Sequence, residues 1–201
     1  MIRFKNISTD KPYLKFIEVY KAAKEKKQKS LEACCISSYN KDECEVNSRF
    51  VNIKYINSDR WYFYTNYNSP KSIEFNGHNQ ISCIFYWGST NSQIRLKAKI
   101  CKAPEDESNK YFRNRTFEQN VLAISSKQSE SIESYDAVQQ NYNLTKESYG
   151  TNSKPRRPIY WGGFYFKPYY FEFWSGHKNR LNKREVFYMK NNNWKKIFLQ
   201  P

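Results

Sequence analysis

The chain has 201 residues, enough for one domain with a full-sized core, and 34 Lys+Arg against 19 Asp+Glu give it a formal charge of +15. Such a charge attracts anions, either nucleic acid or a phosphorylated small molecule. Only 6 glycines occur, with no GxGxxG and no GxxxxGK[ST], which argues against a glycine-rich phosphate loop, and just two histidines, His78 and His177, exclude a His-rich metal site.

The predicted elements follow in chain order. Residues 11–29 space Leu14, Ile17 and Val19/Tyr20 about one turn apart, which predicts an amphipathic helix. Its basic end, Lys21 to Lys29, reads as a solvated helix face. A short apolar strand is expected over 30–39, with a turn at 40–43. Alternation of Val46, Phe50/Val51, Ile53 and Tyr55 predicts a strand over 44–56, returned by a hairpin to 60–67. Ser69 and Pro70 open a short helix over 69–75. The next strand pair is 79–87 and 92–103. From 104 to about 147 the texture becomes helical, opening on Pro104 and a run of acids. A polar loop is expected over 148–158, and strands return at 162–174, 185–189 and 194–199.

Aromatics form 18% of the chain, which favours half-buried pleated surfaces. The fold class expected is therefore mainly β with helices (α+β): an antiparallel barrel carrying a helical insertion and an N-terminal helix. Residues 30–201 read as a single domain, and whether 1–29 acts as a lid stays open. Five cysteines, an odd number without a CxxC pair, together with no secretory leader, suit reduced thiols and a cytoplasmic protein. No run of about 18 apolar residues suggests a membrane span.

Several short motifs come in a fixed order: "RFVNIK" (49–54), "FYTNYNSPK" (63–71), "QIR" (93–95), "KYFRNR" (110–115), "SKQS" (126–129), "WGG" (161–163), "FEFW" (171–174) and "RLNKR" (180–184). Each alone is weak. As an ordered set over roughly 30–201, they make the chain resemble the pyridoxamine 5'-phosphate oxidases. The resemblance implies a split β-barrel that forms a homodimer with FMN at the interface. It implies a phosphorylated vitamin B6 substrate and O2 as partners, with no nucleic acid, membrane or metal.

The residues that match the family's positions carry these implied roles. Arg49 and Lys71 would hold the FMN phosphate, where a forked guanidinium and an ammonium suit a dianion. The stretch Arg49, Phe50, Val51, Asn52, Ile53 and Lys54 would run along the cofactor. Tyr64 and Thr65, Gln128 and Ser129, and Gln93 at the isoalloxazine edge would add contacts, completed by Trp174 and Arg184. Lys54, Tyr111 and Arg115 would clamp the substrate phosphate, with Gln119 where the family has Ser. Arg180 would lie against the substrate ring, beside Asn182.

The chain departs from the family at Asn182, which replaces a His, at Lys183, which replaces an Asp, and at Pro70, where Arg is common. Asn cannot titrate near neutrality as His does. The reaction implied is oxidation of pyridoxamine or pyridoxine 5'-phosphate at C4', giving pyridoxal 5'-phosphate and hydrogen peroxide. Three alternatives stand beside it: an oxidase of the same fold acting on another substrate, as in phenazine biosynthesis; a non-catalytic FMN- or pyridoxal-phosphate-binding protein; and a basic nucleic-acid-binding module.

Overall fold

The computed structural model describes residues 1–149 and 154–201. The polar loop expected over 148–158 thus lies partly outside the described residues. The N-terminal helix α1 (Lys11–Glu25) has Pro12 in its first turn and buries Tyr13, Phe16, Tyr20 and Ala23. Of the stripe read from Leu14, Ile17 and Val19/Tyr20, Tyr20 is buried, whereas Tyr13 and Phe16 turn inward in place of Leu14, which is 50% exposed, and Ile17. The aromatic face offers more apolar area, so it turns inward. Phe16 sits among Phe4, Tyr20, Trp61, Phe85 and Trp87, with ring centroids 4.5–6.4 Å away. Residues 1–29 are thereby anchored to the main core.

The strands are β1 (Arg3–Lys5), β2 (Ala33–Asn40), β3 (Glu45–Asn52), β4 (Tyr55–Asn57), β5 (Arg60–Asn66), β6 (Gln80–Trp87), β7 (Ser92–Lys102), β8 (Trp161–Ser175), β9 (Lys183–Lys190) and β10 (Asn193–Leu199). They form one sheet in the order β1-β4-β5-β8-β7-β6-β2-β3, and β9 and β10 extend it from β8. All pairings are antiparallel except β1 with β4. The chain runs directly from β3, at one end of this order, into β4, near the other. That return curls the sheet into a barrel around the aromatic core.

The single strand predicted over 44–56 is therefore two. At the break, Ile53 N–H donates to Glu32 O and Lys54 N–H donates to Tyr62 O. The backbone changes partner there, which apolar alternation cannot reveal. Strand β1 also lacks a sequence signal, being only three residues long. Helix α2 (Pro70–Gly77) follows β5 as expected. The helical insertion resolves into α3 (Glu105–Arg113), α4 (Phe117–Ser125) and α5 (Tyr135–Tyr149).

Strand β8 is the spine. It pairs with β5 through its first half, with β9 through its second, and with β7 along most of its length. Its partner register shifts at Lys97/Ala98, opposite Pro168. A proline cannot donate to a ladder, so it falls at this irregularity. At its start, Gly162 and Gly163 admit close neighbours. A Cβ on Gly162 would collide with the Tyr67 hydroxyl, and one on Gly163 would stand 2.9 Å from both Ala103 Cβ and the Tyr64 ring.

All five cysteines are free thiols. Among the described residues, no helix is long and apolar enough to cross a membrane.

Phe16→Ala removes a fully buried ring from the centre of the aromatic cluster. The expected loss is about 3–5 kcal/mol of unfolding free energy, measured by urea titration of the two proteins. A change below about 1 kcal/mol would show that α1 is not part of the core.

Candidate active site

The cleft is built where β3, β5, α2, α3 and α4 meet. Its volume is about 460 Å³. From β3 come Phe50, Val51 and Asn52, with Lys54 just beyond. Strand β5 supplies Tyr64 and Thr65, and α2 supplies Lys71. The insertion contributes Tyr111, Arg115, Gln119 and Gln128. All of these were candidates in the sequence, and the fold brings them to one place from positions up to 78 residues apart.

The polar contacts fix several of these side chains. Gln128 Oε1 accepts hydrogen bonds from Thr65 Oγ1 at 2.9 Å and from Asn66 N–H at 3.2 Å. The Tyr64 ring stacks on Tyr111 at 3.7 Å and on Trp161 at 5.6 Å. Behind this stack, the Tyr55 hydroxyl lies 3.0 Å from both the Tyr64 hydroxyl and Glu107 Oε2. The Arg115 guanidinium lies 4.3 Å from the Trp161 ring centroid. One of its nitrogens donates to Gln119 O at 2.9 Å. Its other terminal nitrogen, Nη1, is buried with no partner among the described residues.

Charge in the cleft is one-sided. Lys54, Lys71 and Arg115 line it, and no carboxylate does so among the described residues. Burial pulls the Lys54 amine below its usual range, and nearby Arg115 and Arg3 add to the effect against an opposing pull from Glu32. Burial also lowers Arg115. Lys71 is only 7% exposed, and burial, with Arg49 nearby, pulls it down to about 8 against the opposing effect of Glu74. Its ammonium donates to Ser69 Oγ at 2.9 Å, next to the N-terminus of α2. Cations held this way gain most from a bound anion, and a helix N-terminus adds to the attraction.

Other candidates stand outside the cleft wall. Arg49 pairs with Glu74 at 2.9 Å and also bonds Ser38 and Asn47 O. Ile53 is wholly buried in the core. Ser129 has a left-handed backbone (φ 73°) and lines a separate hollow with α5 residues.

The remaining candidates form a second group at the far end of β8. Gln93 faces Trp174 across β7 and β8, and Trp174 faces Arg184 across β8 and β9. Gln93 and Trp174 line a hollow beside α1. Arg184 is held by Glu172 at 2.8 Å and donates to Gln200 O. Arg180 takes a left-handed conformation (φ 61°) in the turn before β9. Asn182 Oδ1 accepts from His177 N–H at 3.0 Å and closes that turn.

Gly162, opposite Thr65, and Trp174 are twelve residues apart on β8. At about 3.3 Å per residue this is roughly 40 Å of strand before bending. The two groups are thus well separated within one chain. Asn66, Trp161, Leu122, Ala123 and Ser126 also line the cleft and were not foreseen. Trp161 belonged to a quoted motif, but nothing in "WGG" marked it as a wall of the site.

The fold and site together define an antiparallel barrel with a cationic cleft, a setting that suits a phosphorylated ligand. Residues 21–146 match the family pattern described as pyridoxamine 5'-phosphate oxidase. Residues 161–201 match the pyridoxine 5'-phosphate oxidase C-terminal dimerisation region. The chain belongs to the pyridoxamine 5'-phosphate oxidase family.

It is 33% identical over 193 residues to a pyridoxine/pyridoxamine 5'-phosphate oxidase of Christiangramia forsetii, covering 96% of this chain and 89% of that one. It is 32% identical to an enzyme so named from Hydrogenovibrio crunogenus, covering 91% and 83%. In fold it resembles PhzG from Burkholderia lata 383 in complex with tetrahydrophenazine-1-carboxylic acid (TM-score 0.85, 22% identity, 94% and 92% covered). It also resembles a pyridoxamine 5'-phosphate oxidase-related, FMN-binding protein from Nostoc punctiforme (TM-score 0.75, 10% identity, 96% and 99% covered).

Lys71 supplies a test by pH. Its lowered pKa means that the free cleft loses this positive charge as pH rises through about 8. A phosphate dianion is already fully ionised there. The affinity of the apoprotein for FMN is expected to fall above pH 8, approaching about tenfold per pH unit if only the ammonium form binds. Lys71→Met should bind weakly at pH 7 and show no such slope. A wild-type affinity that stays flat from pH 7 to 9.5 would contradict this role.

Proposed function

We propose that the protein is an FMN-dependent oxidase that converts pyridoxamine or pyridoxine 5'-phosphate to pyridoxal 5'-phosphate. The observation that carries this reading is the convergence of Lys54, Tyr111 and Arg115 in one cleft with Lys71. Two places for phosphate result. Lys71, with the N-terminus of α2, suits the cofactor phosphate. Lys54, Arg115 and the Tyr111 hydroxyl suit the substrate phosphate. An oxidase for an unphosphorylated substrate has no use for the second set.

The working unit is a homodimer with the cofactor between subunits. The C-terminal region matches a dimerisation module. Phe50 is 75% exposed at the cleft, and Leu122, also in its wall, is half exposed. Exposed apolar side chains of this size beside a polar cleft mark a surface meant to be covered. A second copy would bring its Gln93, Trp174, Arg180 and Arg184 to the cleft of the first.

Lys71 and the N-terminus of α2 would hold FMN by its phosphate, and the flavin would supply the two-electron redox chemistry, with C4' of the substrate as hydride donor, O2 as the final acceptor and hydrogen peroxide as the second product. This chain's residues bind and orient. Lys54 and Arg115 neutralise the substrate phosphate far from the reacting carbon, so that positioning supplies much of the rate. Arg180 holds the pyridine ring and presents C4'. Asn182 uses its carbonyl to close the 177–182 turn, which leaves its amide N–H free to donate to the ring substituents. The Arg95–Glu172–Arg184 bridge holds the β7–β9 end of the site rigid.

Gln119 and Asn182 favour a second reading, the same chemistry on a different reduced ring compound. Mixing FMN-loaded protein anaerobically with pyridoxamine 5'-phosphate separates the two. The expected result is loss of absorbance near 450 nm, restored by air as pyridoxal 5'-phosphate appears. A flavin that stays oxidised would sink the vitamin B6 assignment. Arg180→Ala should lower kcat/KM by about a hundredfold while FMN remains bound. Full activity in that variant would remove Arg180 from the mechanism.

A further inference from the structure

The cleft walls hold no carboxylate among the described residues, yet one stands close behind them. Glu107, half-buried on α3, is one turn before Tyr111 on the same helix. A fixed negative charge this close to cations that suit a phosphate weakens their hold on it. Its contacts show what offsets that effect. The Tyr55 hydroxyl donates to Glu107 Oε2 at 3.0 Å. This uses the only proton of that hydroxyl, so in the 3.0 Å contact between Tyr55 and Tyr64 the donor is Tyr64. The Tyr64 ring in turn lies flat on Tyr111, with centroids 3.7 Å apart and planes within 6° of parallel. A closed circuit results: Glu107, Tyr55, Tyr64, Tyr111, and back along one turn of α3 to Glu107.

The middle of the circuit is held from other sides as well. Tyr55 is buried, its ring stacks on Tyr62 at 4.5 Å, and the Lys5 ammonium stands 4.4 Å from its ring centroid. Burial, then the neighbouring Tyr64 hydroxyl and the Glu107 carboxylate, push the Tyr55 phenol above its ordinary range, which keeps it a proton donor. The rest of the substrate-phosphate clamp adjoins the same pair of tyrosines. Lys54 directly precedes Tyr55 in the chain. The Arg115 guanidinium lies over Trp161, which stacks on Tyr64.

We propose that Glu107 is a positioning residue for the substrate phosphate, acting through Tyr55 and Tyr64 to set the place of Tyr111 in the cleft. The inference rests on the reading of Lys54, Tyr111 and Arg115 as the substrate-phosphate clamp. Glu107 does not touch the ligand. It orients the two hydroxyls, and the Tyr64 ring then fixes the plane of Tyr111 and with it the direction of the Tyr111 hydroxyl. Its charge opposes phosphate binding, and its hydrogen bond favours it by a larger amount.

The test is calorimetric titration of FMN-loaded protein with 4'-deoxypyridoxine 5'-phosphate, which carries the phosphate and ring but lacks the C4' hydroxyl that the reaction oxidises. Wild type is compared with Glu107→Ala, Tyr55→Phe, the double variant and Glu107→Gln. Loss of a repelling charge alone would tighten binding in Glu107→Ala and Glu107→Gln alike. The positioning role has the opposite sign: Glu107→Ala and Tyr55→Phe each bind about tenfold more weakly. The double variant is within about twofold of either single one, because both break the same circuit. Glu107→Gln, whose amide oxygen still accepts from Tyr55, stays within about twofold of wild type. FMN is retained throughout. Unchanged or tighter binding by Glu107→Ala, losses that multiply in the double variant, or release of FMN from the variants overturns the inference. If the variants behave as expected while wild type leaves pyridoxamine 5'-phosphate unoxidised, the oxidase reading falls and this inference stands. A wild type that does not bind the probe removes both.

Discussion

A single strand of fifteen residues, β8, sets the distance between the two groups of candidate site side chains. Its first residues pair with Tyr64 and Thr65, at the cleft, and its last pair with Gln93 and Arg184. One continuous strand cannot bring its own two ends together. Under the proposed function, a flat cofactor that touched both groups would lie between two copies of the chain. Strand length thus supports the proposed shared site alongside the exposed apolar side chains Phe50 and Leu122. The glycines at the start of β8 serve the same plan, because Tyr64 and Tyr67 pack where side chains would otherwise stand.

The second constraint is electrostatic. The cleft gathers cations that burial and mutual repulsion both disfavour, with Lys71 the clearest case. Such an arrangement weakens the free protein and strengthens its complex with a dianion. Glu74 moderates the crowding by pairing with Arg49 rather than entering the cleft. Arg49 can still act from this position, since its charge is felt by Lys71. Rigid support comes from neutral contacts: the Thr65–Gln128 bond, the Tyr111–Tyr64–Trp161 stack, and the Tyr55 hydroxyl behind it.

Much of this was legible in the sequence. The long strands, α2 and the helical insertion all announced themselves through alternation, Pro70 and the acids after Pro104. The cleft residues were recognisable as an ordered set of motifs. What stayed hidden depended on partners distant in the chain. The break at Ile53 and Lys54 arises because the backbone changes neighbours, which leaves the side-chain pattern untouched. On α1 the buried Tyr20 was expected, but Tyr13 and Phe16 took the inside where Leu14 and Ile17 had been read. Trp161 and Asn66 enter the cleft through pairing of β5 with β8, which no local signal specifies. Asn182 was a catalytic candidate in place of a family His, and no sequence signal showed that its carbonyl also closes a turn.

A site shared between subunits is the central proposal, and subunit exchange measures it directly. Lys54→Ala and Arg180→Ala dimers, each nearly inactive, would be mixed, dissociated and reassociated, and assayed for oxidation of pyridoxamine 5'-phosphate. If each site takes Lys54 from one chain and Arg180 from the other, half the dimers are mixed and each holds one intact site, so activity returns to about a quarter of wild type. If both residues act within one chain, every site in the mixed dimer carries one defect, activity stays at the level of the parents, and the shared site is wrong.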